Sequence, residues 1–238
     1  MSEPPPSREI DVPTGAVTLP GDLTVPTEGS SGRSPPLVIF AHGSGSSRHS
    51  PRNRQVARAL AEAGCATLLF DLLTAEEGKL DERTAQLRFD IALLAGRLAE
   101  VVDWVRAGHE LGTQPVGLFG ASTGAAAALV AAGKRPHDVG AVVSRGGRPD
   151  LAGDTLSAVR APTLLVVGGR DVEVLSLNER AAARLTAEHR VAVVPGAGHL
   201  FAEPGALEQV ADLAVEWLRS HLHGAVAGRE APDRGSNS

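Results

Sequence analysis

One cysteine, Cys65, is all that the 238 residues contain. No disulfide can form within the chain, and no cluster of Cys and His has the spacing of a zinc site. Lysine is nearly absent as well, with Lys79 and Lys134 alone against an arginine-rich background. That bias belongs to composition and marks no site. Basic residues form no patch, and a formal net charge of -5 with a pI near 5.9 offers nucleic acid no phosphate footprint. No apolar run is long enough to span a bilayer, and the polar, proline-rich start MSEPPPSREID lacks the apolar core of a secretory signal. These absences leave a cytoplasmic protein that acts on a small molecule, with neither nucleic acid nor membrane as partner. No metal or organic cofactor is called for, and a homodimer stays open.

What is present alternates. REIDVPTGAVTLPGDLTVP reads as a β-hairpin with Gly and Pro at its turns, and GSSGRSPP as a loop. PLVIFAHG, CATLLFDLL, PVGLFGAS, AVVSRGG, PTLLVVGG and RVAVVPGAG are short apolar runs of the kind buried on both faces of a parallel sheet. Helical patterns lie between them. Val56, Leu60 and Ala63 share a face of the first, and Leu207, Val210, Ala214, Trp217 and Leu218 share a face of the last. Leu87, Ile91, Leu94, Leu98, Val101 and Val105 recur at steps of four and three, which predicts one long helix through DERTAQLRFDIALLAGRLAEVVDWVRAG. The expected architecture is α/β: a mostly parallel central sheet of about eight strands, helices on both faces and right-handed crossovers. A single domain over 10–223 is expected, between disordered segments at 1–9 and 224–238.

In such sheets the reacting groups collect where the strands end. LFGASTGAAAAL places Ser122 between two glycines on a strand-to-helix turn, where a tight elbow would present its hydroxyl. A serine needs a base, and the base needs a partner that fixes its tautomer. Asp171 in GGRD and His199 in GAGH end the next strands but one and two, giving the order Ser, Asp, His. Taken singly, Asp171 could be a helix cap and His199 a loop histidine, like His109, His221 and His223 at helix ends. Three strand ends delivering the required residues in order favour the catalytic reading. The amides of Thr123 and, in HGSGSS, Ser44 are the candidate oxyanion donors, and His42 is expected to brace that loop instead of acting as base.

With HGSGSS, GASTG, GGRD and GAGH in place, the chain from about Leu37 to His221 resembles the α/β-hydrolases, and among them the dienelactone hydrolase-related proteins. The resemblance implies nucleophile, acid and base roles at Ser122, Asp171 and His199. Dienelactone hydrolases proper carry a cysteine nucleophile; here serine stands in that position and Cys65 precedes a different strand, which favours a serine esterase-like enzyme. The chain is also similar to hydrolase modules fused to phosphoribosyltransferase domains, with no such second domain expected in these residues. The short stretch RGGRPDLAGDTLSAVRA leaves no room for the helical lid of many relatives, so an open site and small substrates follow. Arg48, Arg145 and Arg148 lie near strand ends and could clamp a substrate carboxylate, or could be solvated or paired with Asp150, Asp154 or Glu76. The expected activity is hydrolysis of a small ester, lactone or thioester through an acyl-enzyme. The alternatives are C–C bond hydrolysis or acyl transfer on the same triad, or a non-catalytic ligand-binding protein of this fold.

Overall fold

The computed structural model describes residues 5–26, 34–108, 111 and 116–223; the expectations for 1–4, for most of the GSSGRSPP loop, for His109 and for 224–238 lie outside them. Eight strands form one sheet in the order β1-β2-β4-β3-β5-β6-β7-β8. They are β1 (Ser7–Thr14), β2 (Val17–Thr24), β3 (Leu37–Ala41), β4 (Ala66–Phe70), β5 (Val116–Ala121), β6 (Val139–Arg145), β7 (Thr163–Gly168) and β8 (His189–Val194). The β1–β2 hairpin is antiparallel and β2 joins β4 antiparallel, while β4, β3, β5, β6, β7 and β8 run parallel. The expected sheet is therefore the observed one.

Successive residues of the inner strands feed opposite layers, because side chains alternate across a sheet. Leu37, Ile39 and Ala41 of β3 enter the core under α3 (Ile91–Gly108) and α4 (Thr123–Lys134). Val38 and Phe40 enter the core under α1 (Pro51–Glu62) and α6 (Ala206–His223). This double burial is why the strands read as unbroken apolar runs. The last helix buries Leu207, Val210, Ala214, Trp217 and Leu218 as its periodicity requires.

Two expectations need correction. The disorder expected for 1–9 does not hold for 7–9: Ser7, Arg8 and Glu9 pair with Thr24, Leu23 and Asp22. Backbone ladder bonds hold an exposed strand end whatever its side chains, so polarity misplaced the boundary. The long helix is also broken. Its first residues, 81–84, belong instead to a separate helix, α2 (Ala75–Thr84), which ends at Ala85 in a left-handed conformation with φ 53°, followed by a 3-10 turn over Leu87–Phe89. The carboxylate of Asp81 turns the chain there, accepting hydrogen bonds from the Arg88 amide at 3.0 Å and Nε at 2.6 Å. Leu87 and Ile91 are half-buried, and the buried stripe begins at Leu94. The start of α2 was legible in TAEE: Thr74 Oγ1 accepts from the Glu77 amide, and the Glu77 carboxylate accepts from the Thr74 amide. The segment between β6 and β7 holds only short 3-10 turns within Pro149–Ala158, and α5 (Val172–Ala182) follows β7.

The tightest packing lies where β5 passes into α4. A β-carbon on Gly120 would sit 2.4 Å from Ala125 Cα, and one on Gly124 would sit 2.3 Å from the carbonyl oxygen of Ala41. Backbone has no room to yield on either side. Gly124→Ala is therefore expected to destabilise the protein by about 3 kcal/mol or more, read as a lower urea midpoint. An unchanged midpoint would mean that α4 does not press on β3 at this point.

Candidate active site

Ser122 follows β5 with φ 51° and ψ -119°, a conformation that L-residues rarely adopt. Strain of this kind costs roughly 1–3 kcal/mol and persists only where the surroundings impose it. Here the surroundings are explicit: the Ser122 amide donates to the Arg145 carbonyl at 3.2 Å, and the Ser122 carbonyl accepts from Ala125 and Arg148 at 3.1 Å each. Ser122 is the N-cap residue of α4, yet its side chain makes no capping bond.

Asp171 holds the corresponding place on α5. An aspartate there would ordinarily cap the helix, but its side chain makes no cap hydrogen bond. Its Oδ2 lies instead 2.7 Å from His199 Nδ1. A carboxylate only accepts, so Nδ1 carries the proton and Nε2 is left as the basic nitrogen. The loops bearing the two residues are tied together. Gly169 donates to Val194 and Arg170 to Ala197, both at 2.9 Å. Both carboxylate oxygens of Glu203 accept from the Gly198 amide at 3.1 Å, and the same carboxylate pairs with Arg170. Its own backbone amide, then the Gly198 amide and Arg170, hold the Glu203 carboxyl below the usual range. On the other side, buried Asn178 of α5 donates to the Gly147 carbonyl at 3.0 Å.

Serine and histidine each lie against the end of β6. Arg145 receives the Ser122 amide, and a β-carbon on the next residue, Gly146, would lie 3.6 Å from His199 Cε1. His199 is exposed and Ser122 half-buried, so solvent reaches the pair.

The loop after β3 closes the opposite side. A β-carbon on Gly43 would lie 3.2 Å from Ser122 Cβ. His42 stands beneath the loop: its Nε2 receives the Leu72 amide at 3.0 Å, so Nδ1 bears the hydrogen and donates to the Gly43 carbonyl at 3.0 Å. Both ring nitrogens are thus engaged, and burial lowers its pKa from the ordinary 6.5. His42 braces the loop and is in no position to serve as a free base. A cavity of about 620 Å³ is lined by Gly43, Ser44 and Thr123, with Leu72, Gly78 and Arg88 among its other lining residues; it reaches Thr123, the neighbour of Ser122, while Ser122, Asp171 and His199 do not line it. Thr123 is the first residue of α4, so its amide has no acceptor within the helix. Its Oγ1 is buried without a hydrogen-bond partner.

The wall that includes Leu72 and Gly78 is held by charge. Arg97 of α3 donates to both oxygens of Glu77 and to the Leu72 carbonyl, all at 2.7 Å, fastening α2 to the end of β4. The Arg97 contact holds the Glu77 carboxyl low. Neither this clamp nor the roles of Glu203 and Asn178 follow from motif or periodicity; Glu77 alone carried a signal, as the second member of the capping box.

The three arginines do not converge. Arg48 Nη1 and its amide bind Asp71 at 2.7 Å each, Nη2 binds Glu9 at 2.8 Å, and Nε lies 3.4 Å from Asp22. Arg148 forks onto Asp150 at 2.7 and 2.8 Å. Both guanidiniums are paired with carboxylates, which is the second of the two alternatives open for them; for Arg148 the partner is the expected Asp150, and for Arg48 the partners are Asp71, Glu9 and Asp22. Arg145 differs, with Asn53 Oδ1 at 3.3 Å as its hydrogen-bond partner. Cys65 is fully buried, and burial pushes its thiol up to about 11. It offers no nucleophile at neutral pH.

Comparison with known proteins accords with this frame. The family model described as alpha/beta hydrolase fold matches residues 36–197, and the chain belongs to that family. Within it the likeness is to dienelactone hydrolase-related proteins: the crystal structure of a dienelactone hydrolase from Anabaena variabilis is 53% identical, with a TM-score of 0.88 over 92% of this chain and 100% of that one. An alpha-beta serine hydrolase homologue from Coxiella burnetii shares the fold at 20% identity, TM-score 0.70, over 88% of this chain and 96% of that one. A Mycobacterium tuberculosis protein named as a putative phosphoribosyl transferase is 57% identical over 222 residues, 92% of this chain and 48% of its own length. The chain spans about half the length of the curated relatives it matches. No helix among the described residues is long and apolar enough to cross a membrane.

Two outcomes test the buried groups. The unfolded chain protonates His42 near 6.5 whereas the folded one resists; below that pH the unfolded state binds more protons, so this share of stability is complete above 6.5 and is lost as pH falls. Urea midpoints should therefore drop on acidification from neutrality, less steeply in His42→Gln. Iodoacetamide at mildly alkaline pH should leave Cys65 unmodified in the native protein and label it in urea; rapid native labelling would contradict its burial.

Proposed function

We propose that the protein is a serine hydrolase of small esters, lactones or thioesters. The observation that carries this reading is the use made of Asp171: at a position that invites capping, its carboxylate holds His199 instead, while Ser122 is kept on a strained elbow. In the proposed mechanism Ser122 Oγ attacks the carbonyl carbon while His199 Nε2 takes its proton, and Asp171 stabilises the imidazolium. The amides of Thr123 and Ser44 stabilise the oxyanion, which fits their place on the cavity wall. His199 then gives its proton to the leaving group, activates water, and the acyl-enzyme hydrolyses. The exposed histidine and the missing lid support small, soluble substrates, and the 53% identical dienelactone hydrolase supports ester-bond chemistry in the same frame. A cytoplasmic location belongs to the same proposal.

The test is turnover of p-nitrophenyl esters of rising chain length. Wild type should hydrolyse the short ones best, Ser122→Ala should abolish turnover, and Asp171→Asn should lower kcat about ten-thousandfold. Activity that survives Ser122→Ala would sink the reading.

A further inference from the structure

Two arginines are buried among the described residues, and they are matched very differently. Arg97, 7% exposed, has Glu77 against its guanidinium; Arg145, 8% exposed, has no carboxylate, and its Nε is a buried donor without a partner. A buried cation is costly unless an anion or several acceptors replace its water. Here the neighbour is a second cation. Arg52, in the first turn of α1, is near enough for its charge to depress Arg145, whose pKa falls to about 10 chiefly through burial. Arg52 Nε is likewise buried and unpartnered.

The helix end adds to the imbalance. Arg52 and Asn53 are the second and third residues of α1, a 12-residue helix with no acidic residue in its first turn. Ser50 caps that end through its side chain, but no carboxylate of the helix's own first turn offsets the partial positive charge there. Arg145 thus reaches the first turn of α1, where Asn53 Oδ1 accepts from it, and the Nε atoms of Arg145 and of Arg52 in the same turn are both left without an acceptor. One negative charge would serve both guanidiniums.

We propose that Arg52, Arg145 and the amino end of α1 form a binding site for one small oxyanion of the phosphate or carboxylate type. The near-complete burial of Arg145 limits the occupant to a compact group, and guanidinium forks suit the oxygens of such groups. The site is separate from the cavity beside Ser122, whose walls include Ser50 and Pro51 but neither arginine. It nevertheless touches the same framework. The Arg145 carbonyl fixes the Ser122 amide, and α1 continues from the loop that carries Ser44, so an anion here would steady both sides of the serine. The assignment does not depend on the hydrolase reading.

The experiment is isothermal titration of the whole protein with sodium phosphate, ionic strength held constant with sodium chloride, beside thermal unfolding in the same solutions. Wild type should bind one equivalent and gain in Tm, because a ligand of the native state alone stabilises it. Arg52→Gln and Arg145→Gln should each weaken binding by about tenfold or more and lose the gain in Tm. Arg52 is only half-buried, so its variant keeps the test valid if Arg145→Gln folds poorly. Absence of phosphate binding to wild type, or equal affinity in wild type and Arg52→Gln, overturns the proposal. Phenyl phosphate identifies the source: tighter binding than inorganic phosphate points to a phosphate group on an organic ligand, and weaker binding to a free anion, each with the same dependence on the arginines.

Discussion

The close approach of α4 to the edge of β3 is the constraint from which the site follows. Because Gly124 rests on the Ala41 carbonyl, the chain must leave β5 through a sharp turn, and Ser122 must take a backbone conformation it would otherwise avoid. The alanines behind it, all fully buried from Ala125 to Ala128, let the helix lie close enough to hold that turn. The same contact brings the loop after β3 against the serine, so that one packing event places the hydroxyl and sets the wall beside it. Strain at one residue is offset by burial in a whole helix.

The acid and the base depend on a different kind of support. Their loops follow β7 and β8, and backbone bonds between Gly169 and Val194 and between Arg170 and Ala197 extend the sheet beyond its last ladder rung. Glu203 closes the assembly by holding the Gly198 amide and Arg170 together. The distance between Asp171 and His199 is thus set by a continuous hydrogen-bonded strip. Polar groups with complete partners rigidify what loops alone would leave loose.

Much of this was legible because it is periodic or terminal. Double-faced strands announce themselves as apolar runs, and the glycines around Ser122 mark the elbow since nothing larger fits there. The break after α2 was not legible, because the apolar spacing from Leu87 to Val105 carries on through it; a side chain, Asp81, overrides periodicity by capturing the Arg88 amide. Nor could sequence position tell the arginines apart. Arg48, Arg145 and Arg148 all stand near strand ends, and only the tertiary fold decides that Glu9, Asp22 and Asp71 meet the first, Asp150 the last, and none of them the second.

The loop from His42 to Ser50 differs from most loops in what it would tolerate. Connections usually absorb insertions and deletions readily, but this one is pinned along its length: His42 to Leu72, Arg48 to carboxylates on β1, β2 and the end of β4, and Ser50 to the first turn of α1. Adding or removing a residue would misalign at least one of these anchors with its partner. Length variation among proteins built on this plan should therefore collect elsewhere, as at the β6–β7 connection, while the number of residues between β3 and α1 stays constant.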